Sequence, residues 1–99
     1  MTPTEIAEAS SRVPTWTVES IPRDALYLEW KGQNFVDTFA LMTDVARLAE
    51  ELNHHPEWFN VYSRLTIRLT THDVGGLSEL DFKMAERIDI LIKQSRTAR

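Results

Sequence analysis

The sequence predicts an α+β fold: a four-stranded antiparallel sheet with three helices packed on one face, in the order α-β-β-α-β-β-α. Three observations carry this. Apolar residues alternate in four short stretches, the period of strands with one buried face. In the segments that flank and separate these stretches they recur every three or four residues, the period of amphipathic helices. Within each strand pair the connection is too short for a crossover, so the partners are antiparallel. A chain of 99 residues holds one such domain, residues 1–99, with enough buried surface for a core.

Each element follows from its residues. Thr2 can cap a first helix, with Pro3 at its first position and Glu5 placed for a capping box; the helix fades near Arg12, before Pro14. Thr15–Glu19 alternates, with Trp16 and Val18 on one face. Ile21-Pro22-Arg23-Asp24 reads as a turn. Ala25–Lys31 alternates again, with Leu26, Leu28 and Trp30 against Tyr27, Glu29 and Lys31. Asn34 caps a long helix over about residues 34–53, which Pro56 prevents from continuing. Its stripe of Phe35, Phe39, Met42, Ala46, Ala49 and Leu52 is read as core covering the sheet. Trp58–Tyr62 and Arg64–Thr71 form the second strand pair. Leu65, Ile67 and Leu69 point inward; Arg64, Thr66, Arg68 and Thr70 point to an open face. His72–Gly76 is a loop. Ser78 caps the last helix with Asp81 three residues on, Leu77 can staple onto Phe82, and Phe82, Ala85, Ile88 and Ile92 are its buried stripe.

Composition removes several kinds of chemistry. There is no cysteine, hence no disulfide, thiolate zinc site or thiol nucleophile. The net charge of −4 argues against nonspecific binding to nucleic acid or to an anionic membrane. The first twenty residues lack a signal segment and no apolar run approaches a membrane span, so the expected location is the cytoplasm. Basic residues gather late, at Lys83, Arg87, Lys93, Arg96 and Arg99, as suits the end of a final helix.

The three histidines are the candidate chemistry. His54 and His55, with Pro56, Glu57 and Trp58, lie between the long helix and the third strand. His72 follows the fourth strand, whose end lies beside the start of the third. Hairpin geometry thus gathers all three at one end of the sheet. Asp81 can approach the same place, and Glu50 would share a helix face with His54 if the helix persists that far. Three readings remain open on this evidence. The histidines can simply terminate a helix and occupy a loop. They can hold zinc, although adjacent side chains diverge and a His-His pair seldom serves one ion. They can exchange protons near neutral pH, supported by the two carboxylates. Trp58, Phe59 and Tyr62 can pack on a flat heterocycle or in the core.

The spacing of these residues resembles the signature of the pterin-4a-carbinolamine dehydratases: Glu50, three residues, His54-His55-Pro56, the aromatic Tyr62, His72 after nine residues and Asp81 after eight. The run HHPEWFNVYSRLTIRLTTHDVGGLSELDF, the earlier Trp16 and the segment LEWKGQNFVDTFALM also fit, so about 85 of the 99 residues are covered. Asn53 stands where the family often has Asp.

The resemblance implies a dehydratase acting on 4a-hydroxytetrahydropterin, the adduct that aromatic amino-acid hydroxylases leave behind, with quinonoid dihydropterin and water as products. It implies His54, His55 and His72 as catalytic residues: His54 and His72 trading protons with the hydroxyl and N5, and His55 binding and polarising the pterin. Glu50, Pro56, Trp58 and Asp81 would bind or support. No metal and no organic cofactor is implied. The implied partners are the pterin substrate and further copies of the chain, a dimer or, as expected here, a tetramer, with a link to the hydroxylase pathway and no direct contact with nucleic acid or membrane. Family members also act as a dimerisation partner of a transcription factor or as an assembly factor, so a non-catalytic interaction role on the same fold is the alternative.

Overall fold

The computed structural model describes residues 1–95; Arg96 and Arg99 lie outside them. The chain runs α1 (Pro3–Ser10), β1 (Thr17–Glu19), β2 (Ala25–Lys31), α2 (Phe35–Leu52), β3 (Glu57–Val61), β4 (Arg64–Leu69), a 3₁₀ turn (His72–Val74) and α3 (Glu79–Gln94). The sheet has the spatial order β1-β2-β4-β3 with every neighbour antiparallel. This is the expected α+β order.

Register divides the sheet into two faces. Leu26 pairs with Leu69, Leu28 with Ile67 and Trp30 with Leu65, and these side chains face the helices. They meet Leu41, Val45 and Leu48 of α2 and Phe82, Met84, Ala85 and Ile88 of α3 in one buried cluster, with Ala9 of α1 at its edge. On the opposite face Arg68 lies between Tyr27 and Glu57, and Thr66 between Glu29 and Phe59. Phe59 and Val61 are largely exposed there, apolar residues beside the expected Thr and Arg side chains.

α1 opens with the expected capping box: the Glu5 N–H donates to Thr2 Oγ1 (3.1 Å) and the Thr2 N–H to Glu5 Oε1 (2.7 Å). The helix closes at Ser10 rather than near Arg12. β1 is shorter than its alternation predicts. Trp16 sits before it, buried to 4% exposure, because its indole N–H donates to Asp89 Oδ1 of α3 (2.8 Å) and draws the ring out of strand register. β4 also ends early, at Leu69. Thr70, expected on the open face, is buried: its hydroxyl donates to the Asp24 carbonyl (2.9 Å), and Thr71 instead bridges to Gly76. β3 starts at Glu57 and stops before Tyr62, whose φ of 52° makes it part of the two-residue turn with Ser63.

The largest departure is in α2. Its buried face is Thr38, Leu41, Val45, Leu48 and Ala49, whereas Phe35, Phe39 and Ala46 face outward. At 100° per residue the buried arc lies about a quarter of a turn from the expected stripe. The helix carries more apolar surface than the sheet can cover. Sequence period locates an apolar arc but not which part of a wide one meets the core. Phe35 and Phe39 instead pack on each other, ring centroids 5.9 Å apart, at 47% and 53% exposure.

Burial pushes the Asp89 carboxyl up from its ordinary value, opposed by the Trp16 indole and by Lys93, with Glu86 pushing the same way as burial. A carboxyl raised in the folded state contributes stability only while protonated, and loses it as pH rises through the folded value. At neutral pH its ionised form therefore costs stability. Asp89→Asn keeps an acceptor for the indole and removes the charge. The expected gain is a few tenths of a kcal/mol at pH 7 after solvent screening, fading to nothing near pH 3. Urea unfolding at the two pH values measures this, and an equal effect at both would contradict it.

Candidate active site

The site begins where α2 ends. Asn53 takes the left-handed conformation, φ 50°, ψ 46°. Its N–H donates to the Glu50 carbonyl and the His54 N–H to the Ala49 carbonyl (3.0 Å), the paired bonds that close a helix when a left-handed residue follows it. Asn tolerates this conformation better than other side-chain-bearing residues. The helix ends at Leu52 and the reversal throws His54 off the α2 face, so Glu50 and His54 do not share one. Glu50 Oε2 instead holds His55 Nε2 at 2.6 Å. Pro56 then biases the chain to extended backbone and feeds it into β3.

His54 turns inward and is 10% exposed in its side chain. Its Nε2 lies 2.6 Å from Oδ1 of Asp81, which is fully buried in the first turn of α3. The other oxygen, Oδ2, accepts from Thr71 Oγ1 (2.7 Å) and from the Ser78 N–H (3.0 Å). The Thr71 hydroxyl has one hydrogen, which goes to Asp81, so Ser78 Oγ donates to Thr71 Oγ1 (2.7 Å). A buried carboxylate needs such a set of donors. Because the carboxylate accepts, His54 carries its hydrogen on Nε2. The same reasoning puts the His55 hydrogen on Nε2, toward Glu50. Among the described residues, nothing hydrogen-bonds to Nδ1 of either ring.

His72 opens the 3₁₀ turn beyond β4 and is 66% exposed in its side chain. Its Nε2 lies 3.3 Å from Glu57 Oε2, the first residue of β3, so it stands at the strand end that the His54-His55 pair leads into, as hairpin geometry predicts. On its other side Arg23 Nη1 lies 3.1 Å from Nδ1. Each histidine thus has its own carboxylate. Among the described residues no group of three or more His, Asp or Glu side chains converges to hold a metal ion, and no helix is long and apolar enough to cross a membrane.

Two aromatics of the matching run sit at opposite ends of β3. Trp58 lies opposite Ile67 on the helix-bearing face of β3, at 36% exposure. Tyr62 occupies the turn at the far end of β3, roughly 16 Å of strand from its start. Sequence reasoning passed over Thr71, Arg23 and Arg68 as site residues, placed Glu57 in the histidine cluster without a role, and saw Ser78 only as a cap. Thr71 adjoins His72 and Ser78 adjoins the α3 start, so proximity to signature residues was a usable signal for them. Arg23 comes from a turn 49 residues from His72, and nothing in the sequence marks that contact.

A buried carboxylate orienting one imidazole, with two further imidazole–carboxylate pairs at the same sheet end of an α+β scaffold, is an arrangement that can transfer protons. The family model described as pterin 4 alpha carbinolamine dehydratase matches residues 1–91. The chain is 47% identical over 91 residues to a Prochlorococcus marinus (strain MIT 9313) protein named "Putative pterin-4-alpha-carbinolamine dehydratase", covering 92% of each chain. A protein of the same name from Solibacter usitatus is 48% identical over 87 residues, covering 88% of each. Among solved structures, the transcriptional coactivator/pterin dehydratase from Brucella melitensis superposes with a TM-score of 0.87 at 37% identity, over 92% of this chain and 96% of that one. A pterin dehydratase-like protein identified as a RuBisCO assembly factor in the alpha-carboxysome shares the fold, with a TM-score of 0.67 at 23% identity over 78% and 88%. The chain belongs to the pterin-4a-carbinolamine dehydratase family.

Proposed function

We propose that this protein dehydrates 4a-hydroxytetrahydropterin to quinonoid dihydropterin and water, recycling the cofactor of aromatic amino-acid hydroxylases in the cytoplasm. The observation that carries the reading is the buried Asp81–His54 pair, which holds one imidazole with its Nε2 hydrogen committed and Nδ1 open. The reaction breaks the C4a–O bond. The departing hydroxyl takes up a proton and leaves as water, while N5 gives one up, so the proton count balances. His54 Nδ1 takes the N5 proton. His72 Nε2–H donates a hydrogen bond to the departing hydroxyl, whose proton comes from solvent at this exposed end of the sheet. His55, held by Glu50, binds and polarises the pterin through its free Nδ1. Pro56 and Trp58 support the loop and the start of β3.

Stopped-flow measurement with chemically generated 4a-hydroxytetrahydropterin tests this. The wild-type chain should accelerate dehydration over the spontaneous rate. His55→Ala and His72→Ala should each lose about 10²-fold or more of that acceleration while keeping the native circular dichroism. Full activity in either variant would refute its assignment. No acceleration by the wild type would leave the interaction role as the better reading.

An assembly role has its own support. The outward Phe35, Val36 and Phe39 of α2 and the apolar Phe59 and Val61 on the β3 edge strand are surfaces a lone chain does not bury. We propose that copies of this chain cover them, with a homotetramer as the assembled form.

A further inference from the structure

The turn between β1 and β2 enters the site through a charged network that the histidine signature does not contain. Arg68, on the open face of β4, is 18% exposed in its side chain. It pairs with Glu19 at the end of β1 and approaches Glu57 of β3 at 3.6 Å. Its Nη2 donates to the carbonyls of Ile21 (3.0 Å) and Arg23 (3.3 Å). Thr70 Oγ1 donates to the carbonyl of Asp24, the next residue. The turn is therefore fastened to β4 by its backbone at residues 21, 23 and 24, and the Arg23 side chain is free of that duty. That side chain reaches His72, with Nη1 3.1 Å from Nδ1.

A guanidinium has donors and no acceptor, so this contact requires His72 Nδ1 to carry a lone pair. The ring hydrogen is then on Nε2, which lies 3.3 Å from Glu57 Oε2. A cation on one ring nitrogen draws electron density from the other, which strengthens the Nε2–H as a donor. We propose that Arg23 is the positioning residue of His72: it occupies Nδ1, keeps the ring neutral and fixes His72 as a hydrogen-bond donor from Nε2, leaving proton acceptance to His54. Glu57 lies on the opposite side of the ring. The division of labour rests on the dehydratase reading above; the state of the ring does not.

The test uses the full chain and the variants Arg23→Ala and Arg23→Lys. Nitrogen-15 spectra of the His72 ring at pH 7.5 should give, in the wild type, a protonated Nε2 and an Nδ1 in the position of a hydrogen-bonded acceptor. In Arg23→Ala the Nδ1 signal should move away from that position, and in Arg23→Lys it should return part of the way. The kcat of Arg23→Ala should fall about tenfold with KM within about twofold, because a bond that positions His72 is lost and none to the substrate. Backbone amide shifts of Asp24 should stay in place, since Arg68 and Thr70 still hold the turn. A wild-type ring with hydrogen on Nδ1, or an Nδ1 signal unchanged by Arg23→Ala, would overturn the proposal whether or not the protein is a dehydratase. Lack of dehydratase activity in the wild type with the expected spectra would sink the catalytic reading and leave the clamp standing.

Discussion

Asp81→Asn is expected to leave the protein folded and to remove about 10²–10⁴-fold of the dehydration rate. Asn can keep its amide oxygen where Oδ2 accepts from Thr71 and the Ser78 N–H. The amide nitrogen then faces His54 Nε2, which must become an acceptor. The ring hydrogen moves to Nδ1, the nitrogen that takes the N5 proton in the proposed reaction. The fold loses little, about 1–2 kcal/mol for the weaker bonds, while the imidazole is held in the wrong tautomer. Asp81→Ala is the contrasting variant. It strands three buried or half-buried donors and should cost about 3–5 kcal/mol. Stopped-flow rates beside thermal melts separate the two. An Asp81→Asn variant as fast as the wild type would show that Asp81 does not select the tautomer.

The second large effect concerns assembly. Phe35→Ser with Phe39→Ser should convert the proposed tetramer to smaller species at micromolar concentration. Covering one Phe side chain contributes about 1.5–3 kcal/mol, so removing both weakens each contact by about two orders of magnitude or more. The monomer should keep its stability, because neither ring belongs to the buried core. Sedimentation velocity reads the mass. A wild-type chain that sediments as a monomer would contradict the tetramer, and an unchanged tetramer in the double variant would place the interface elsewhere.

The fold was legible because its period changes are sharp. Leu65, Ile67 and Leu69 against Arg64, Thr66 and Arg68 admit one reading, and the register pairs them as that reading requires. Legibility failed where side chains had more than one apolar place to go. Phe35 and Phe39 have the right spacing for core and lie outside it. Trp16 alternates with Val18, yet a single bond to Asp89 removes it from the strand. At the site, the histidines and their common sheet end followed from order and hairpin geometry. The pairing of each ring did not, because one left-handed residue, Asn53, decides it: His54 leaves the helix face of Glu50, and Glu50 meets His55. Arg23 was out of reach for another reason, since its approach to His72 depends on where a turn docks rather than on any local pattern.

The clamp on His72 and the bond between His54 and Asp81 join residues 49 and 27 positions apart. The contacts come from the β1–β2 turn, the exit of α2, the start of β3, the turn after β4 and the start of α3. No contiguous fragment supplies a working half, and each contact crosses between elements that share the one core. Formation of the site and closure of that core are therefore a single cooperative event. A state that opens that core cannot hold all three rings in register.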